Sequence, residues 1–174
     1  MTLHRTSFRI MSWLATVAGL AFAYWAGSLL GNNFYADVYL VMAAGMAFAT
    51  FGRRIMSSRV ILGKDFLSVV NPILSYRVPY ERIAKITRES SGTLLVVTLE
   101  GKEIASTGFG GSFLDYFVGS TDKAVHVIDQ QVRKRRKSAG IGEVPTIRYS
   151  WDPVADLSAL GILVCLLLWV ITGR

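Results

Sequence analysis

The sequence predicts an α+β membrane protein, with three transmembrane helices and an antiparallel β-barrel or sandwich closed by a C-terminal amphipathic helix. Three observations predict it. Long uncharged runs lie near both ends of the 174-residue chain. The section between them alternates apolar and polar side chains and is punctuated by turn signals, the period of half-buried strands. The end of that section then changes to a helical period. With 52% hydrophobic residues the chain is more apolar than an ordinary soluble globule, and its length allows one domain plus a few helices.

The first run, Ile10 to Gly31, has 22 residues and no charge, enough to cross a hydrocarbon core of about 30 Å at 1.5 Å per residue. It is too long for the apolar core of a signal peptide and reads as a retained span. The second run, Val38 to Gly52, is short at its uncharged centre and needs its flanks around Asp37 to reach across; Arg53 and Arg54 end it. The link "GNNFYAD" is a tight turn without a basic residue, so the two helices form a hairpin. The third run, Leu157 to Gly173, has Trp151 and Trp169 near its two ends, and Trp is favoured at membrane interfaces.

The net charge is +7, and sixteen of the nineteen Lys and Arg lie between Arg53 and Arg148. Arg5 and Arg9 precede the first run. The opposite side carries only Asp37 and Arg174. The positive-inside rule therefore places the amino terminus and the middle section in the cytoplasm and the carboxyl terminus outside. Along the first span Ala15, Gly19, Ala23 and Gly27 recur every fourth residue, a small-residue stripe that lets another helix approach closely. Gly45 and Ala49 are candidate complements on the second span, although Ala and Gly are also simply common in membrane helices.

In the middle section "SRVILG", "FLSVV", "SYRVPYERI", "IAKITRES" and "TLLVVTLEGKEIAS" are short segments rich in β-branched and aromatic residues. Gly63-Lys64-Asp65, Asn71-Pro72, Ser90-Ser91-Gly92 and Glu100-Gly101 separate them as turns, the last being the clearest hairpin. Pro79 inside a strand-like run should mark an edge or a bulge. After the glycine-rich "FGGSFLDYFVGS", the segment "TDKAVHVIDQQVRKRRKS" places Ala124, Val125, Ile128 and Val132 on one helical stripe. Asp122 at its start and the basic cluster at its end suit the helix dipole. Six or seven strands and one closing helix are expected.

Two stretches, "VVNP" from Val69 to Pro72 and "VPYERI" from Val78 to Ile83, carry a resemblance. With the "EGKE" hairpin, they are similar to the bacterial pleckstrin-homology-like domains, above all those of small actinobacterial membrane proteins in which the domain adjoins membrane helices. The resemblance covers about residues 55 to 137, and its motif positions are Asn71, Pro72, Val78, Pro79, Tyr80 and Ile83. It implies the fold and a bacterial cytoplasmic membrane, not a reaction. The divisions expected are a cytoplasmic amino terminus (1–9), a helical hairpin (10–52, spans 10–31 and 35–52), the pleckstrin-homology-like domain (53–138), a linker (139–153) and a third transmembrane helix (154–173). Phosphoinositide-binding relatives use closely spaced basic residues around the first hairpin, whereas this chain has only Lys64 beside Asp65 there.

The chemistry-bearing residues are few. Cys165 is alone, which excludes disulfide scaffolds, zinc ribbons and redox CxxC pairs, and His4 and His126 are the only histidines. "GFGGSF" has neither the lysine of a phosphate loop nor dinucleotide spacing, and no GxSxG elbow is present. No catalytic residue, cofactor or metal is expected, and nucleic acid is not an expected partner, because the basic cluster lacks interleaved aromatics. Arg53, Arg54, Arg133, Lys134, Arg135, Arg136 and Lys137 can sit near an anionic phospholipid surface, each worth about 1 kcal/mol there, or serve as a topology signal. The expected function is a non-catalytic accessory or scaffolding subunit. In that reading the small-residue stripe packs against a membrane-protein partner, and a sheet edge near Pro79 or the sheet–helix groove docks a cytoplasmic one. The alternative is a lipid-headgroup-responsive or lipid-handling membrane module.

Overall fold

A computed structural model describes residues 2–3, 6–28, 36–90, 92–109, 120–136 and 144–173. The chain divides into two compact units: Met1–Arg5 with Ser57–Ser150, and Thr6–Met56 with Trp151–Arg174. The described residues form four α-helices and two antiparallel sheets, an α+β arrangement.

The first unit holds the strands. β1 (Thr2–Leu3), β2 (Arg59–Leu62), β3 (Phe66–Val70), β4 (Leu74–Pro79) and β8 (Thr146–Tyr149) make a five-stranded sheet in the order β1-β2-β3-β4-β8. β5 (Ile83–Arg88), β6 (Leu94–Thr98) and β7 (Glu103–Ser106) make a three-stranded sheet in that order. Period-two alternation sends Val60, Leu62, Leu67, Val69 and Val78 from one sheet, and Ile83, Ile86, Leu94, Val96 and Ile104 from the other, into one core. α3 (Ser120–Arg136) adds Ala124, Ile128 and Val132 to that core, at the i, i+4, i+8 spacing of one helix face. The β6–β7 turn needs Gly101, whose φ of +77° lies in the left-handed region.

The sheets do not close into a barrel, which corrects the closed barrel or sandwich expected from the sequence. The reason lies at Pro79. Its ring fixes φ at −59° and removes a donor, and Tyr80–Arg82 then form a 3-10 turn that takes the chain from one sheet to the other. β8 pairs with Leu74 to Arg77 and stops short of Pro79, so the missing N–H has no acceptor opposite it. Two strands also lie in segments expected to lack them: β1 in the amino-terminal 1–9 and β8 in the linker 139–153.

The second unit is helical. α1 (Thr6–Ser28) and α4 (Pro153–Thr172) both pack on α2 (Asp37–Met56). Gly19 meets Gly45 and Ala15 meets Gly52, so α1 and α2 run antiparallel. Arg53 pairs with Asp152 near one end of α2, and Trp169 reaches Asp37 at the other, so α2 and α4 are antiparallel too. The start of α1, the end of α2 and the start of α4 therefore lie at one end of this unit.

Among the described residues two helices are long and apolar enough to cross a membrane, Phe8–Ser28 and Pro153–Thr172. This corrects the expectation of three spans. α2 carries Asp37, Arg53 and Arg54 within its 20 residues. The uncharged stretch between them covers only about 22 Å at 1.5 Å per residue, short of a core of about 30 Å.

Candidate functional site

In the β unit the six motif residues are turn and core. Val78, Tyr80 and Ile83 are fully buried. Asn71 joins the sheets: its side-chain amide donates to the Ala105 carbonyl at 2.8 Å and its carbonyl accepts from the Thr107 N–H at 2.9 Å. The Asn71 side chain thus occupies the β7 edge as a short extra strand would. Tyr80 donates its hydroxyl to the Gly63 carbonyl at 2.9 Å, and Arg135 donates to the same oxygen. Burial pushes the Tyr80 phenol above its ordinary pKa, the charge of Arg135 opposes that, and Asp65 adds to it. Arg135 is therefore a structural tie between the end of α3 and the β2–β3 turn.

Gly108 also has a packing role. A methyl group placed there would lie 2.5 Å from the Ser58 carbonyl oxygen, so only glycine lets the 3-10 turn Thr107–Phe109 close on the chain ahead of β2. The rest of the glycine-rich segment, 110–119, lies outside the described residues, as does Lys137.

A groove of about 530 Å³ runs between α3 and β5. Ile83, Ala84, Lys85 and Ile86 all line it. Successive side chains of a strand point to opposite faces, so four in a row mark a groove along the edge of β5 rather than on a face. That edge has no neighbouring strand among the described residues, because β5 ends the three-stranded sheet, and its register with β6 shifts between Ile83 and Lys85. Lys85, Arg133 and Arg136 give the groove three cations. Asp129 opposes them and is already paired with Arg133 at 2.9 Å. His126 sits on the same wall, 3.2 Å from the Gln130 amide nitrogen. Of the expected basic cluster, Arg133, Lys134 and Arg136 are exposed.

In the helical unit the small-residue stripe meets α2 of the same chain. A methyl on Gly19 would lie 2.6 Å from the Gly45 carbonyl oxygen, and one on Gly45 would lie 3.0 Å from the Ala23 nitrogen. Ala15 touches the space at Gly52, and Gly27 faces Met42. The buried hydroxyls need no second helix. Thr16 donates to Ser12 O, Thr50 to Met46 O and Ser158 to Val154 O, each one turn back on its own helix.

Arg53 and Arg54 are ion-paired within this unit. Arg53 Nε lies 2.9 Å from Asp152 Oδ1 and its guanidinium 4.5 Å from the centre of the Trp13 ring; Arg54 pairs with Asp156. Asp152 also caps α4 by accepting from the Ala155 N–H at 3.3 Å. Burial pushes the Asp152 carboxyl up, but the Arg53 hydrogen bond, the Ala155 and Val154 amides and the Arg53 charge outweigh it and hold the carboxyl below its ordinary value. Sequence reasoning missed Lys85, Asp152 and the pairing of Asp156 with Arg54. The Asp152-Pro153 pair just ahead of an apolar run is a helix-start signal that could have flagged the first acid.

Among the described residues no three His, Cys, Asp or Glu side chains cluster as metal ligands. Compared with protein-family models, with curated proteins and with solved structures, the chain gives no match.

Proposed function

We propose that this chain is a membrane-anchored, non-catalytic interaction protein that takes an extended, acidic segment of a partner along the edge of β5. The groove carries the reading. It follows a strand edge that has no neighbouring strand among the described residues, which suits an added strand, and it presents Lys85, Arg133 and Arg136 to side chains of opposite charge. The outward faces of α1 and α4 support the anchor. Leu157, Leu163 and Ile171 on α4, and Val17, Tyr24 and Trp25 on α1, are exposed, while Ala, Gly, Ser and Thr are inside. Such a surface suits lipid tails and is costly in water. The concentration of Lys and Arg between residues 53 and 148 favours a cytoplasmic position for the β unit.

The test uses the full chain in detergent micelles and a fluorescent peptide alternating Glu and Val. Saturable binding is expected, weakened at least about tenfold, or about 1.4 kcal/mol, in the triple variant Lys85→Glu, Arg133→Glu, Arg136→Glu. Equal binding of a Lys–Val peptide, or unchanged binding by a triple variant that melts like the parent, would refute the groove.

A further inference from the structure

The open side of the five-stranded sheet carries a second surface. Leu74 pairs with Tyr149 and Tyr76 with Ile147, so these four side chains share one face of the sheet. Tyr76 packs against the core, and beyond it Leu74, Ile147 and Tyr149 stay exposed. Ile73, 62% exposed, adjoins the strip in sequence at the β3–β4 turn. The strip is held rigidly at its end, because the Ser150 N–H donates to the Ile73 carbonyl at 2.8 Å and the Asn71 N–H to the Leu74 carbonyl at 2.9 Å.

We infer that this strip, Ile73, Leu74, Ile147 and Tyr149, is a membrane-contact surface that lies in the interfacial layer of the bilayer holding α4. The inference rests on the anchored reading above. Covalent reach argues for it. Only Ser150, Trp151 and Asp152 separate Tyr149 from Pro153, so Tyr149 stays within about 14 Å of the first residue of α4 at the length of an extended chain. The headgroup region on each side of a bilayer is itself about 5–8 Å deep. The composition fits that depth. Tyr149 and Trp151, the latter 72% exposed, are the amphipathic aromatic types that settle at the headgroup level, and Ile73, Leu74 and Ile147 supply apolar area beneath them.

The experiment places a bimane label on single cysteines in a Cys165→Ser background of the full chain. The sites are Ile147→Cys in the strip, Leu163→Cys on the outward face of α4 and Lys85→Cys in the groove. Each is reconstituted in vesicles of phosphatidylcholine and phosphatidylglycerol carrying nitroxide at the headgroup or in the acyl chain. The expected result is loss of most emission at Ile147→Cys with headgroup nitroxide, loss at Leu163→Cys with acyl nitroxide, and none at Lys85→Cys. Quenching at Leu163→Cys without quenching at Ile147→Cys would overturn the inference and leave the anchor standing. No quenching at either would remove the anchor and the inference together. Disulfide-linked dimers of unlabelled Ile147→Cys under copper–phenanthroline oxidation, equal in detergent and in vesicles, would assign the strip to a second copy of the chain and also overturn it. Matching thermal melts of the unlabelled variants and the parent exclude misfolding as the source of any arm.

Discussion

In the β unit the fully buried side chains are large, Tyr80, Leu62, Leu67, Ile83 and Ile128 among them, whereas in the helical unit the buried positions are Ala15, Ala23, Ala26, Ala49, Ser12, Thr16 and their like, with Trp, Phe and Leu outside. The first pattern is what water imposes: removing apolar area from solvent is the driving force, and large side chains supply most of it. The second suits the proposed anchor, in which the surroundings are themselves apolar. Helices then gain by letting backbones approach, and small residues permit it. One chain therefore holds two cores built on opposite rules, damaged by shrinking a side chain in the first and by enlarging one in the second.

Leu67→Ala gives the largest expected effect. It empties a fully buried position in β3 and should cost the β unit about 2–5 kcal/mol, read from hydrogen exchange of the β3 and β6 amides across a urea series. Amides of α1 and α2 should keep their protection; parallel loss there would show that the two cores unfold as one. Gly19→Leu does the reverse. It adds apolar volume and should cost the helical unit about 1–3 kcal/mol, because the Gly45 carbonyl oxygen already fills the space. Thermal melting in detergent, with unchanged exchange in the β strands, checks it, and a gain in stability would break the comparison.

Polar ties sharpen it. Arg53→Ala should cost the α2–α4 contact about 1–2 kcal/mol, less than a dry pair would, because the two side chains keep 15% and 16% of their exposure. Asp152 has a lowered pKa in the fold. Its contribution is full above the ordinary carboxylate value near pH 4 and is lost as pH falls through the lower folded value. Acid should thus loosen the helical unit of the parent, and Arg53→Ala should blunt that response in a melting series from pH 6 downwards. The smallest effect is Tyr80→Phe, about 1 kcal/mol for the hydroxyl bond to Gly63. The raised Tyr80 pKa sets the opposite window: stability is full below about pH 10 and is lost as pH rises through the folded value. The variant should lack that alkaline loss in the β unit.

Local signals were legible and long-range ones were not. The Gly101 turn and the α3 stripe of Ala124, Ile128 and Val132 follow from residues a few positions apart, which a single sequence displays. The spacing of Ala15, Gly19, Ala23 and Gly27 shows a close approach, and Gly45 and Ala49, the complements expected on the second helix, are the residues that Gly19 meets. Period-two alternation identifies strands but not the sheet each one joins, so the switch at Pro79 was hidden and a closed barrel was the natural expectation. β1 has two residues and β8 four, too short for any period to register. Arg53 and Asp152 are 99 positions apart, and nothing local couples them. The β5 groove was foreseen as a sheet–helix cleft, but Lys85 was invisible as part of it because its partners Arg133 and Arg136 come from another element.

Of the described elements β1 is synthesised first, yet its partners in the sheet are Val60 and Ile61, beyond both α1 and α2. β8, which completes the opposite side, is the last strand translated. On the ribosome the β2–β3–β4 meander forms from neighbouring segments, and the two outer strands are added across long loops whose closure entropy rises only slowly with length. Birth order therefore runs from the middle of the sheet outwards. α4 follows β8 directly, so the more apolar in composition of the two span-length helices leaves the ribosome only after every described strand of the β unit has been made.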